Sequence, residues 1–292
     1  MEFHGRNKMC VIASASGNVF AFFWRRDLEI IQPGLPFDGS EAARRICPRG
    51  HGLGLDGIFL LDVPKKNKPW VIEHWDADGS RSFCSNGTRA ATALLPDEFQ
   101  GLLEVCSTDE TVMLDRRGAD VGLRLPQGQG FSLMDAPDNM PFPAVYAWTG
   151  TPQLVLNVPD VDAMDMSSYG PPLRFHPELP FGANVSVLQV LSPGSAKIRT
   201  WERGVEAETL SCGQGAAAAA AWLAEQAGIK RWNIQPKGID ALCLDVGELQ
   251  NRHWSELWLS GTVRILGSIT LGPSLECKTK TMLSPEKRIH DK

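Results

Sequence analysis

The feature that most constrains this chain is a duplication. The stretch DADGSRSFCSNGTRAATALL (76–95) lies over GVEAETLSCGQGAAAAAAWL (204–223) without a gap, so that Cys84 falls on Cys212, Gly87 on Gly215, Ala90 and Ala91 on Ala218 and Ala219, and Leu95 on Leu223. The offset is 212 − 84 = 128 residues, close to half of the 292 in the chain. Self-similarity at so long a period bears on the architecture before any local propensity does. Length agrees with it: at roughly 100 to 200 residues per domain, the chain makes two domains.

Each copy has a polar, acidic lead-in, then C-x-x-G, then an Ala-rich helix that begins just after the cysteine. A helix N-terminus carries unpaired N–H groups and a partial positive charge, which favour a bound anion. The same field is expected to stabilise a thiolate and lower the pKa of a cysteine placed there. Glycines let backbone come close to a ligand. Two such helix ends facing one cleft would offer two acid/base thiols and a cradle for a carboxylate, the requirements for proton exchange at a carbon beside a carboxylate. A cysteine before a helix is more often a packing residue, and the run 216–221 reads as a buried core helix as well. Packing and chemistry do not compete there.

Short apolar or alternating runs bounded by turn residues recur along the chain, among them CVIASA, GIFLLDV, WVIEHW, VSVLQVL, LCLDV and VRILGSITL. Twenty prolines and 28 glycines punctuate them. Helical patterns are few: 38–47, 86–99 and 213–228. Many strands with few, irregularly placed helices read as an α+β fold with mixed or antiparallel sheets. The Gly/Pro-rich segment 124–145 reads as a connection between domains. The expected boundaries are an N-terminal domain over 1–128, completed by a last strand at about 262–275, a C-terminal domain over 129–261, and a loose polar tail over 276–292.

The formal net charge of −5 supplies no basic field for nucleic acid or an anionic membrane surface. No apolar run reaches the roughly 18 residues of a membrane span, and the N-terminus lacks the apolar core of a signal peptide. Seven scattered cysteines without CxxC pairs argue against a disulfide framework and a zinc ribbon, so the chain reads as cytoplasmic with reduced thiols. The six histidines have no metal-ligand spacing, and no metal is expected. GHGLGLDG lacks the strand-then-helix context of a dinucleotide site.

Four segments, GHGLGLDGIFLLD (50–62), DADGSRSFCSNGTRA (76–90), ANVSVLQV (183–190) and WERGVEAETLSCGQGA (201–216), carry a resemblance. They resemble the diaminopimelate epimerase family, within the wider group of cofactor-independent racemases that includes proline racemase-like proteins, and the similarity runs to about residue 272. The resemblance implies two pseudo-symmetric domains, each a β-sheet wrapped around a central helix, with one active site between them. It makes Cys84 and Cys212 the catalytic thiols of a two-base inversion at Cα that uses no cofactor. Backbone around Ser85, Asn86, Gly87, Gly213, Gln214 and Gly215 would hold the substrate carboxylate. Glu202 and Arg203 match the family's Glu-Arg pair for the substrate's ammonium and carboxylate, and Asn184 matches the asparagine of the ANV stretch.

Departures from the family pattern bear on the substrate. Asp76 stands where the family has Asn, at a side chain that helps to recognise the distal amino-acid group. The G-N-P-H stretch is here GTPQ, putting Thr151 for asparagine and Gln153 for histidine. The N-terminal H-G-x-G-N-D appears as HGRNKM, with Asn7 as the candidate equivalent. The default substrate is LL-diaminopimelate, converted to the meso form for lysine synthesis. A negative Asp76 would repel a distal carboxylate and welcome a cation, so histidine or a basic amino acid is the alternative, followed by a non-racemising isomerase of the same fold. The expected partner is a small amino acid, with no nucleic acid and no membrane; a homodimer is left open.

Overall fold

The computed structural model describes residues 9–31, 37–62, 68–108, 110–118, 120–125, 130–135, 141–179, 181–238 and 240–270. Its first half runs β1 (Met9–Ala15), β2 (Asn18–Trp24), α1 (Arg25–Ile31), α2 (Gly39–Ile46), β3 (Gly57–Leu61), β4 (Trp70–Asp76), α3 (Ser85–Ala93), β5 (Gly101–Ser107), β6 (Glu110–Arg117) and β7 (Asp120–Arg124). The second continues with β8 (Phe131–Met134), β9 (Ala144–Trp148), β10 (Pro152–Asn157), α4 (Met166–Arg174), β11 (Asn184–Ser192), β12 (Ser195–Glu202), β13 (Ala207–Thr209) and α5 (Gly213–Ala227). After these come β14 (Arg231–Gln235), β15 (Leu242–Val246), the short β16 (Leu249–Gln250) and β17 (His253–Trp254), β18 (Leu257–Gly261) and β19 (Val263–Thr270).

The strand pairing repeats. In the first half β1 pairs antiparallel with β2, β2 runs parallel to β3, β3 antiparallel to β4, β4 parallel to β5, and β5, β6 and β7 form an antiparallel meander. In the second half β9, β10, β11, β12, β14, β15 and β18 reproduce that series of antiparallel and parallel contacts in the same order. A parallel pair needs a crossover. In each half one crossover is the helix that follows a cysteine: α3 links β4 to β5, and α5 leads from β12 and its hairpin partner β13 to β14. The halves meet where β7 pairs with β18, and β19 returns to pair with β1. The fold is therefore α+β, with two pseudo-symmetric halves.

Each central helix is wrapped by its own half of one continuous sheet. α3 packs on β1, β2, β6, β7 and β19, while α5 packs on β8, β9, β10, β11, β14, β15 and β18. Residues Ala216 to Ala221 are all fully buried, because a helix enclosed on every side has no room for longer side chains. α5 ends at Gly228 in the left-handed conformation (φ 67°), which a glycine adopts without penalty.

Two helices lie outside the three sequence expectations, α1 and α4. α4 carries Pro171 and Pro172, a pair that argues against a helix in sequence. It forms because Asp165 caps its first turn by accepting from the Ser167 amide, and because Met166, Gly170 and Leu173 are buried. The expected connection over 124–145 contains β8, which pairs with β9, so part of it belongs to the second half of the sheet.

Candidate active site

Cys84 and Cys212 are the N-caps of α3 and α5 in nearly the same conformation, φ −124° and ψ 110° for one, φ −121° and ψ 103° for the other. Each sulfur accepts from the backbone N–H three residues on, Gly87 or Gly215, at 3.4 Å. An N-cap is ordinarily Ser, Thr, Asp or Asn. Here a thiol takes that place twice.

The two helix starts face each other. A Cβ built on Gly213 would lie 2.7 Å from Leu259 Cδ2, 3.1 Å from Ser85 Oγ and 3.3 Å from Asn86 Oδ1, so a side chain there would press on β18 and on the start of α3. Gly87 is equally confined, since a Cβ there would stand 2.3 Å from the Phe59 ring. The thiols lie near enough for the charge on Cys84 to push up the pKa of Cys212.

The helix-end field does not prevail over burial. Cys84 is pushed up to about 12 by desolvation, with Asp76 and Glu202 adding to the rise and the Gly87 N–H opposing it. Cys212 is raised well above its ordinary value by burial and then by Glu202. This corrects the expectation of depressed thiol pKa values: an enclosed site with two carboxylates outweighs two N–H donors per sulfur. At neutral pH both thiols hold their protons.

A second pair of equivalent turns flanks the thiols. Gly17, with φ 96°, precedes Asn18 at the start of β2, and Gly150, also with φ 96°, precedes Thr151 and β10. Asn18 Oδ1 accepts from Asn86 Nδ2 at 2.9 Å, and Thr151 Oγ1 donates to Gln214 Oε1 at 2.6 Å. Asn86 and Gln214 are themselves equivalent in the repeat. Asn7 lies outside the described residues, and Asn18 is the asparagine brought to this position; the G-N of the N-terminal pattern recurs at Gly17 and Asn18, a signal that HGRNKM obscured.

The second half builds a hydroxyl-centred network. Thr151 Oγ1 accepts from Gln153 Nε2 (2.7 Å) and Asn184 Nδ2 (3.3 Å), and Asn184 Oδ1 accepts from the Arg203 amide at 2.8 Å. Glu202 ends β12, accepts from Thr209 Oγ1 at 2.5 Å, and lies near enough to Cys212 for its charge to raise that thiol's pKa. Burial raises its carboxyl to about 7, and the charges of Asp56 and Asp76 push the same way. Asp76 occupies the corresponding end of β4 in the first half. Arg203 is exposed beside the cleft.

Sequence reasoning passed over several groups that the fold gathers here. Asp56 accepts from the Val19 amide at 2.7 Å and anchors the Asn18 turn. Arg89, fully buried on α3, donates to Asn86 Oδ1, Ser16 Oγ and the Gly261 carbonyl, bracing the helix start against the turn before β2 and the end of β18. His74 lies on β4 two residues before Asp76. None of the three has a spacing that announces a role. Among the described residues, no group of three or more His, Cys, Asp or Glu is arranged to hold a metal, no cysteine is in a disulfide, and no helix is long and apolar enough to cross a membrane.

A duplicated sheet-wrapped helix with a cap thiol in each copy defines a class of isomerases, and comparison with known proteins supports it. Solved structures with this fold include a phenazine biosynthesis protein of the PhzF family from Enterococcus faecalis (TM-score 0.66, 14% identity, 91% of this chain and 100% of that one) and a hydroxyproline epimerase from Agrobacterium vitis with bound trans-4-hydroxy-L-proline (TM-score 0.61, 14% identity, 91% of each). The family model for diaminopimelate epimerase matches residues 145–238. The diaminopimelate epimerase of Aquifex aeolicus is 31% identical over 265 residues, spanning 85% of this chain and 92% of the relative, and that of Gemmatimonas aurantiaca is 32% identical over 234 residues, spanning 72% and 77%. The chain belongs to the diaminopimelate epimerase family and is an isomerase, a cofactor-independent epimerase.

Proposed function

We propose that the chain inverts the α-carbon of a free amino acid with Cys84 and Cys212 as the two acid/base groups, the default substrate being LL-diaminopimelate. The observation that carries the reading is the pair of facing helix starts, each capped by a thiol. A thiolate on one side takes the Cα proton, forming S–H as C–H breaks, and the electron pair passes into the substrate carboxylate. N–H groups at the starts of α3 and α5 stabilise that charge. The opposite thiol then delivers its proton to the other face of Cα.

Because burial keeps both thiols protonated at rest, the one that acts as base must first lose its proton within the site, while the other keeps its own. Glu202, whose charge acts on Cys212, is the proton acceptor for that half. Arg203 and Asn184 hold the distal end of the substrate, and Ser85, Asn86, Gly87, Gly213, Gln214 and Gly215 its α-carboxylate. The halves are two domains divided at 128/129, the first completed by β19, and free thiols of this kind suit the reducing cytoplasm.

One observation favours a second substrate class. Asp56, Asp76 and Glu202 concentrate negative charge at the site, which suits a cationic side chain better than a distal carboxylate. Deuterium incorporation at Cα, measured over diaminopimelate, histidine, lysine, arginine and neutral amino acids, separates the readings. Exchange with diaminopimelate alone ends the cationic alternative, and exchange only with others ends the default. Full racemisation by Cys84→Ala or Cys212→Ala would sink the two-thiol mechanism.

A further inference from the structure

Behind Asp76 lies a fully buried imidazole that the two-thiol reaction does not use. His74 is stacked on Phe59 (centroids 4.4 Å apart, 21° between planes) and meets the edge of Phe20 at 5.8 Å. Its Nδ1 lies 3.0 Å from the Ser82 carbonyl oxygen. Ser82 Oγ also lies 3.3 Å from Nδ1. The carbonyl at 3.0 Å only accepts, so the tautomer that satisfies it carries the hydrogen on Nδ1, with the hydroxyl accepting as well, and in that neutral ring Nε2 presents a lone pair. That Nε2 is buried without a hydrogen-bond partner, 3.7 Å from Asp76 Oδ1. Two acceptors facing each other at that distance repel until a proton enters between them.

His74 and Asp76 are i and i+2 on β4 and so share one face, with the ring enclosed and the carboxylate open to the cleft. A Cβ on Gly57 would sit 2.7 Å from Nε2, so the backbone of β3 closes the ring's other side. The neighbouring titratable groups are Asp56, which precedes β3, Cys47, Cys84 at the start of α3, and Glu202 across the cleft. Glu73 and Arg81 pair with each other at 3.4 Å, and Arg81 lies over the Trp75 ring, on the opposite face of the strand.

We propose that His74 and Asp76 form one proton-binding unit, with His74 the positioning residue that sets the charge Asp76 shows to the distal end of a substrate. Without the extra proton the unit is anionic and selects amino acids with cationic side chains. With it the unit is neutral and that preference falls away. The aromatic cage holds the imidazole below its ordinary titration while Asp76 pulls it back up, so the change falls on the acid side of neutrality. The inference deepens the proposed substrate selection, and its test is independent of turnover.

The probe is Cys84 labelled in the whole protein by cationic aminoethyl methanethiosulfonate or anionic sulfonatoethyl methanethiosulfonate, with rates followed by peptide mass spectrometry across acid to neutral pH. The ratio of the two rates cancels the thiol's own ionisation and reports local charge. In the wild type the cation-to-anion ratio should fall roughly fivefold as the unit takes its proton, the size expected for one charge in a wet cleft. His74→Phe keeps the stack on Phe59 and should move that acid step to lower pH, where a carboxylate without its imidazole takes a proton, beside the step near neutrality from Glu202. A flat wild-type ratio at acid pH, or an acid step at the same pH in His74→Phe, overturns the proposal. Should His74→Phe not fold, the imidazole of His74 titrated by nitrogen NMR in Asp76→Asn decides: its titration must move to lower pH, and an unchanged titration overturns the pairing. Failure of every amino acid to exchange at Cα would overturn the epimerase reading and leave the labelling result standing.

Discussion

Glutamine in place of Glu202 should make the protein more stable at alkaline pH while removing most of its activity. Burial raises the Glu202 carboxyl from an ordinary 4.5 to about 7. The folded state therefore binds this proton more tightly than the unfolded chain does. Stability from that source is complete below the unfolded value and is lost as pH rises through the folded one. The shift is worth about 3 kcal/mol, and about 2 kcal/mol after allowing for the partial exposure of the side chain at the cleft. Glu202→Gln cannot ionise, and its amide oxygen can still accept from Thr209 Oγ1. Urea unfolding should find the variant close to wild type at about pH 5 and more stable by about 2 kcal/mol at about pH 8. Deuterium exchange at Cα should fall on the order of 100- to 1,000-fold, as when a general base is removed. A stability difference that does not change with pH would refute the assignment of a raised carboxyl. An undiminished exchange rate would refute its role beside Cys212.

Gly87→Ala should destabilise by about 1 to 3 kcal/mol, because its Cβ would enter the Phe59 ring at 2.3 Å and force the α3 start away from Cys84; thermal melting and Cys84 labelling read the two effects. Thr151→Val, which preserves shape, removes the hydroxyl shared by Gln214, Gln153 and Asn184 and should cost about 1 to 3 kcal/mol in urea unfolding. Retained stability in that variant would mean the three amides find other partners. Oxidation should join Cys84 to Cys212 and inactivate the enzyme reversibly, and inactive oxidised protein in which peptide mapping finds both thiols free would refute their proximity.

The repeat around Cys84 and Cys212, the Ala-rich helices and the strand-rich α+β character were all legible in the sequence, because each is written in local spacing. A cysteine at a helix start needs only the residues that follow it, and both caps form as expected. α4 was not legible, since Pro171 and Pro172 mask a helix whose burial against β11, β12 and β13 outweighs two missing donors. The pairing of Asn18 with Asn86, 68 residues apart, and the equivalent contact of Thr151 with Gln214 depend on which turns the sheets carry to the helix ends. Thiol ionisation was misjudged for the same kind of reason. The N–H donors that lower a thiol's pKa are local and visible as C-x-x-G. The desolvation that raises it, and the approach of Asp76 and Glu202 from separate strands, arise only when the halves close around one site. His74 is the sharpest instance, an unremarkable histidine in WVIEHWD whose lone pair meets a carboxylate only because β4 is extended and Phe59 lies beneath it. Sequence alone determined that there are two copies and where their thiols sit, since both follow from short-range pattern. Tertiary structure decided which charges those thiols feel, since electrostatics acts through space and depends on the water that folding excludes.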